Sequence, residues 1–420
     1  MSPSGKLLIF ASLFIPRISG VNLYVAETTG ALSTLSLVNS GDTFSLTNTS
    51  SSFECSSNPS WLTLDAPNRI LYCIDRGIDP AVNRTGDTNG SINSFVVGAQ
   101  GNLTRVSRVL APLSGVHASI FNGAPGQKRG LASVSLNDLN ANNSDSNKSA
   151  IAIYPLGEGG KVEEAVQTFK PTIEAKGVNP RQDDSYLHQV ILDPQNKFLI
   201  MCDLGGDRVR VYSWDQAALA PIKELEPLRT GPGVGPRHGV FWTSPSGAVF
   251  LIFVGEIDQN VYSYSVAYGA EGLTFTKVCS ITALGPGNEK PPGTTPTSGI
   301  ALTPDNRFII VSNREISFRD SPDVRTKDSD TLSTFTIKPD GSLELLQLAP
   351  SGGYSPRHFS INADGSFLAV GHQGNRSVTI WQRDVVSGKI ITEKPAAKVQ
   401  LSGAISCTIW DEDAPVSLSG

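Results

Sequence analysis

Several things are scarce in this 420-residue chain, and each scarcity removes a class of protein. Charged residues make up only 17% of it, the net charge is −5, and no basic cluster stands out, so a nucleic-acid partner is not expected. The apolar run Leu7–Ile15 is too short to span a bilayer, so no membrane partner is expected. The five cysteines include no pair with zinc-ligand spacing. Cys55 and Cys73 are close enough in sequence to pair, whereas Cys202, Cys279 and Cys407 fall in expected strands and read as small core hydrophobes. No G-x-S-x-G elbow, phosphate loop or dinucleotide fingerprint occurs. No amphipathic helical pattern persists beyond a few turns, which excludes helix-built folds.

What the chain has instead is turns and short strands. Forty glycines and 27 prolines punctuate it. Leu187–Trp214 reads as three strands: an apolar run from His188, the turn Asp193–Asn196, a second run Phe198–Cys202, another turn, and an alternating stretch Arg208–Trp214. The same phrase returns from His238, Ser298 and His358, more weakly from Trp61, and loosely from Ala118. A repeat of about 50 to 70 residues carrying several short strands is the signature of propeller blades. A seventh copy is split. Ala404–Trp410 looks like a lone first strand, and Asn22–Gly30 with Ala31–Val38 looks like the strands that follow it. Pairing the two termini removes the exposed edge of an open ring. The expectation is an all-β, seven-bladed β-propeller closed by its N- and C-terminal strands, one domain over residues 21–420.

Residues 1–20 stand apart. Lys6 precedes the apolar run, and Pro16–Gly20 offers a turn and a small residue for cleavage, the pattern of a secretory signal peptide. Its removal takes away Lys6 and Arg17 and makes the chain more acidic. Acceptor sequons at Asn48, Asn83, Asn89, Asn102, Asn142, Asn147 and Asn375 agree with a secreted glycoprotein. Asn137–Ser149 and Arg319–Asp330 read as exposed insertions within their repeats.

Aligning the repeats locates the candidate chemistry. First strands line a propeller's axis. Their starts carry His188, His238, Ser298 and His358, with His117 one place early, preceded by Arg237 and Arg357. The turns after the second strands carry Asp75-Arg76, Asp203-Leu204, Gly255-Glu256, Asn313-Arg314 and His372-Gln373. Antiparallel pairing brings first-strand starts and second-strand ends to the same mouth of the channel. The expected result is a cationic pocket in an acidic protein, with Arg76 and His372 as outlying members. Such positions also serve simply to bond neighbouring loops. A structural repeat, however, tends to reuse one residue type, and the second phase mixes Leu204, Glu256, Arg314 and Gln373. Arginine suits a carboxylate or phosphate through its planar fork, and His and Glu suit proton transfer near neutral pH. A calcium site would need several Asp, Asn and Glu at one centre, so neither metal nor cofactor is expected.

SYLHQVILDPQNKFLIMCDLGGDRVRVY, GPRHGVFW, SGIALTPDNRFIIVSNR and SPRHFSINADGSFLAVGHQGNRSVTIW, in this order, resemble the seven-bladed lactonase family. It includes bacterial 6-phosphogluconolactonases and the fungal 3-carboxy-cis,cis-muconate cyclase. The resemblance spans most of Ser60–Trp410 and is clearest from Leu187 onward. It implies a cofactor-free site in which His188, Arg237, Glu256 and Arg314 match the cyclase's His, Arg, Glu and Arg. Arg237 and Arg314 would clamp carboxylates of a small polycarboxylate, and His188 and Glu256 would share the proton. His238, Arg357 and His358 are further substrate-binding candidates. The first expectation is therefore a lactone-forming cyclase. The alternatives are a lactone hydrolase using the same pocket and a secreted propeller that binds without catalysis.

Overall fold

The computed structural model describes residues 20–41, 43–77, 89–136, 149–285, 296–314 and 329–412, together with the backbone of a small hairpin at 319–321 and 324–325. Seven four-stranded antiparallel sheets surround a common axis. Blade 1 is composite: from the axis outward it runs Ile405–Trp410, Val21–Glu27, Leu32–Ser40 and Thr43–Ser52. Blades 2 to 7 follow in chain order, with innermost strands beginning at Pro59, Gly115, Leu187, Pro236, Thr297 and Pro356. The split seventh unit of the sequence is thus a real sheet. The expected leader lies outside the described residues, as do residues 137–148 and most of the side chains of the Arg319–Asp330 insertion.

Local chemistry explains the repeated phrase. In blade 4 the Asp193 carboxylate accepts the backbone N–H groups of Gln195, Lys197 and Phe198 at 2.9, 2.6 and 2.6 Å. Asn196 takes the left-handed conformation (φ 53°) that closes the turn. Blade 6 repeats the device with Thr303 and Asn306 (φ 56°), and blade 7 with Asn362 and Gly365 (φ 78°). The strand after each turn is covered by neighbouring blades on both faces. Phe198–Asp203, Val249–Gly255 and Phe308–Asn313 are therefore nearly continuous buried runs rather than alternating ones. Interblade clusters such as Leu199, Met201 and Tyr212 against Val134 and Ile153 supply the core.

The ring is closed by five residue pairs and locked at both ends. Leu23 to Ala26 pair in register with Trp410 to Cys407. At one end buried Glu27 accepts Ser33 Oγ (2.6 Å), Ser402 Oγ (2.9 Å) and the Gly403 N–H (2.7 Å). At the other, Asp411 accepts Tyr24 Oη at 2.7 Å and both terminal nitrogens of Arg69 in blade 2 at 2.5 and 3.0 Å. A disulfide joins Cys55, on the way out of blade 1, to Cys73 in blade 2. Of the free cysteines, Cys202 and Cys407 are buried, while Cys279 is only half-buried on an outer strand.

Asp411→Ala removes two charge-assisted bonds and one hydroxyl bond, and we expect it to lower unfolding free energy by about 2–4 kcal/mol in a denaturant titration. Truncation before Ile405 should prevent folding altogether, because it reopens the ring. An Asp411→Ala protein as stable as the unaltered one would rule out this lock.

Candidate functional site

Each innermost strand carries a β-bulge close to its start. Pro59 pairs with Asp75 and Trp61 with Ile74, leaving Ser60 as the extra residue. The same register shift isolates Val116, His188, Arg237 and Arg357, falls at Ser298-Gly299 in blade 6, and isolates Ser406 in the closing strand. A bulge re-aims the side chain it frees. Here it brings two consecutive residues to the axis in blades 2, 5 and 7 and one in blades 1, 3 and 4. Ser60, Trp61, Val116, His188, Arg237, His238, Arg357, His358 and Ser406 line one cavity. The space left among them holds roughly a single water.

Most bulge residues reach forward to the next blade. Ser60 Oγ donates to Gly115 O (2.7 Å), Ser298 Oγ to Arg357 O (2.8 Å), and Ser406 Oγ to Pro59 O (2.7 Å). Arg237 Nη1 donates to Ser298 O at 2.6 Å, and His188 Nδ1 lies 3.0 Å from His238 Nε2. Val116 has nothing to donate. Arg357 has, yet among the described residues its guanidinium has no hydrogen-bond or ion-pair partner. It retains some contact with water along the channel, although protein surrounds it on all sides.

The residue after each second strand forms a second ring. Its backbone N–H donates to the carbonyl just before the innermost strand in all seven blades: Thr28 to Ala404, Arg76 to Asn58, Leu136 to Ser114, Leu204 to Tyr186, Glu256 to Gly235, Arg314 to Pro296 and Gln373 to Ser355. These seven positions therefore sit at one mouth. Glu256 is the hub. Its Oε1 accepts Arg314 Nη2 at 2.8 Å and Arg181 Nη1 at 3.0 Å. Arg237 Nε stands 2.8 Å from Oε2, with its N–H off the line between them, so that contact is an ion pair rather than a hydrogen bond. Side-chain exposure grades from 1% for Arg237 and 3% for Glu256 to 14% for Arg314 and 28% for Arg181, which orders the cluster from the channel outward.

A family model for the seven-bladed β-propeller lactonases matches residues 22–406. The chain belongs to that family. It is similar over 98% of its length, at 25% identity, to a probable 6-phosphogluconolactonase of Arthroderma benhamiae, covering 94% of that protein. It is also 25% identical over 265 residues to a 6-phosphogluconolactonase of Formosa agariphila, 62% of this chain and 68% of that one. Among solved structures, the periplasmic gluconolactonase of Pseudomonas aeruginosa superposes with a TM-score of 0.74 at 25% identity, over 93% of this chain and 99% of that one.

Against this lactonase frame, the structure brings His188, Arg237, Glu256 and Arg314 into one contiguous cluster, with His238, Arg357 and His358 alongside. Two alignments change. The ladder register puts His117, His238 and His358 in one phase, together with Trp61 and Cys407, while His188 falls one place earlier with Arg237, Ser298 and Arg357. The histidines therefore occupy two adjacent phases rather than one. His372 does not join the mouth. It is the last residue of its strand, the phase of Asp75, Asp203 and Asn313, and neighbouring residues on a strand point to opposite faces. Asp203 accepts from Ser185 and Arg210, Asn313 donates to Ser333, and His372 bonds Ser351 and Ser377. This phase holds blades together.

Two further participants were not among the candidates: Trp61, which starts the weak copy of the repeat and shares the phase of His238 and His358, and Arg181, which no repeat carries. Trp61 packs face-on against His117 (centroids 3.9 Å apart) and edge-on against His358 (4.8 Å), stopping the channel. Arg181 comes from the connection before blade 4. A capping box around Pro180–Gln182 was its one visible sign: Asn179 Oδ1 accepts the Arg181 N–H and Gln182 reaches back to the Asn179 N–H.

Burial sets the protonation of the cluster, with the arginines as the second cause. Burial, then the charges of Arg237 and Arg357, hold the His188 and His238 imidazoles well below the ordinary histidine value. Burial likewise lowers His117, takes His358 to about 3, and takes His372 to about 4. For Glu256, burial opposes ionisation, but Arg314, Arg181 and Arg237 outweigh it and bring the carboxyl to about 2. All five histidines are thus neutral in the folded protein and free to charge once it unfolds. Their contribution to stability is complete above their unfolded value near 6.5 and is lost as pH falls below it, by about 1.4 kcal/mol per pH unit for each. We expect acid unfolding near pH 5.5 to take up about four to five protons on histidine, against almost none at pH 7.5, read from the pH dependence of the denaturant midpoint. A midpoint flat between pH 7 and 5.5 would contradict neutral burial.

Proposed function

We propose that this chain hydrolyses the lactone of an anionic sugar acid. The observation that carries this reading is the Arg357 guanidinium, which has no partner among the described residues and lines the channel cavity, where Arg237 and the bulge serines bond forward. Arg357 is close enough to Arg76 and Arg314 to be repelled by both and to Glu256 to be attracted. Arg237, in turn, feels Arg314, Arg357 and Arg181. Among the described residues Glu256 is shared by three arginines with Arg357 beside them, a setting suited to an anionic ligand.

Water supplies the oxygen. It adds to the lactone carbonyl carbon, the ring carbon–oxygen bond breaks, and the ring oxygen leaves as a hydroxyl, giving the open hydroxy acid. Each neutral imidazole has one donor and one acceptor nitrogen. His188 and His238 use one hydrogen between them, which leaves one acceptor and one donor at the outer ends of the pair. The pair can take a proton from water and return one to the leaving oxygen. Glu256, with a carboxyl near 2, is a poor base for this, and Arg357 with Arg314 is suited to the developing oxyanion. The lactonase relatives support hydrolysis over the cyclisation expected first. Both reactions need similar groups, so the assay includes 3-carboxy-cis,cis-muconate.

Purified protein should open glucono-δ-lactone or 6-phosphoglucono-δ-lactone with release of acid. Arg357→Ala should lower kcat/KM about tenfold or more. His188→Gln should cost about two to four powers of ten in kcat. Absence of turnover on any lactone, or turnover of the muconate alone, would refute hydrolysis.

The same proposal sets the enzyme outside the cytoplasm. Support comes from the leader-like first 20 residues, from the Cys55–Cys73 disulfide, and from exposed sequon asparagines at 48, 89 and 102. Protein from the culture medium should begin near Val21 and lose mass on deglycosylation. Recovery of the uncleaved chain from the cytosol alone would sink this.

A further inference from the structure

The mouth ring has an apolar gap at blades 3 and 4, where it presents Leu136 and Leu204. Where blades 2, 5 and 6 present Arg76, Glu256 and Arg314, blade 4 presents Leu204, an apolar side chain with no exposure. Arg181 stands at that gap, brought there from outside the repeat. Its turn is fastened to the ring: the fully buried Gln182 donates from Nε2 to Leu204 O at 3.0 Å, and the Gly177 N–H donates to Gln182 O at 2.7 Å. With the capping box at Asn179, this fixes the backbone under Arg181 on both sides. The side chain then reaches across to Glu256 Oε1, the oxygen that Arg314 also holds.

This attachment uses little of what Arg181 has to offer. A guanidinium carries five N–H donors, and Arg181 spends Nη1 on Glu256. It is the outermost of the three arginines on that carboxylate, where Arg237 is sealed in and also committed to Ser298 O. Arg181 is also the most exposed of the three, with 28% of its side chain open at the mouth through which a ligand would enter.

We propose that Arg181 is a specificity-determining residue, recruited from the connection before blade 4 to bind the terminal oxyanion of the substrate, with Glu256 as the tether that aims it. The proposal rests on the lactone-hydrolase reading. The terminal oxyanion is a phosphate or a carboxylate, and Arg181 acts on binding of the charged end rather than on the carbonyl.

The test compares Arg181→Ala and Arg181→Lys with unaltered protein on 6-phosphoglucono-δ-lactone, on glucaro-1,4-lactone, and on uncharged glucono-δ-lactone. Arg181→Ala should raise KM for one of the charged lactones about ten- to a hundredfold with kcat within about twofold, and change KM for the uncharged one far less. Whichever charged lactone responds identifies the oxyanion. Arg181→Lys should recover part of the loss. Glu256 keeps Arg237 and Arg314, so the melting temperature should stay near that of the unaltered protein. Equal losses on charged and uncharged lactones, or no loss on either charged one, would overturn the proposal. If the unaltered protein opens no lactone, the hydrolase reading fails by itself, and Arg181 is still read by calorimetry with 6-phosphogluconate. Binding at least tenfold weaker in Arg181→Ala sustains its role, and unchanged binding removes it.

Discussion

Seven strands that start together around one axis crowd one another there, and the chain answers with one extra residue in each. The bulge separates two duties that an unbroken ladder would merge. The residues around it keep the rungs to the second strand, while the bulge residue is released toward the channel. Serine at that position bonds forward to the next blade, as in Ser60, Ser298 and Ser406, and Ser60 and Ser406 also bond a carbonyl of their own second strand. Arginine or histidine at the same position inherits the aim without being obliged to make the bond. His188, Arg237 and Arg357 can therefore carry chemistry on a scaffold whose regularity is maintained by other blades.

The same bulge decides what could be read from the sequence. Turn chemistry recurs in plain view, because Asp193, Thr303 and Asn362 each satisfy the N–H groups of a tight turn before an apolar run. Counting those turns yields the blades, and the unmatched strands at the termini yield the closure. Phase within a strand is harder. A strict period of two assigns neighbouring residues to opposite faces, so Arg237 and His238 cannot both line a channel unless the ladder slips between them. The slip is not written in residue types, and His188 was consequently aligned with His238 instead of with Arg237. His372 has the opposite history. Two titratable residue types occur at the ends of second strands, and only the ladder shows which position faces inward. Arg181 follows no repeat at all, and its local capping residues say that a turn exists without saying what it approaches.

Charge at the mouth is arranged by depth. Among the described residues Arg181, Arg237 and Arg314 share the carboxylate of Glu256, and Arg357 adds a further positive charge beside them. Gathering like charges in a poorly solvated place is unfavourable. It persists because the outer arginines remain partly in water and because Glu256 is shared rather than paired. On the hydrolase reading, the ordering would keep Glu256 out of proton transfer. A carboxylate that holds three guanidinium groups is an anchor, and the histidine pair is left as the group whose protonation can change.

That field couples binding to basicity. As the protein stands, Arg237 and Arg357 disfavour a proton on His188 and His238, so the pair is neutral but weakly basic. An anion seated among the arginines cancels part of the opposing charge, and each imidazole then holds a proton more readily. The pair becomes a better proton acceptor when a negatively charged ligand is present than when the mouth is empty. On the hydrolase reading, an occupied site would be a better base than an empty one, without any movement of the blades. The rigidity of a closed ring is compatible with such a site because the change it requires is electrostatic.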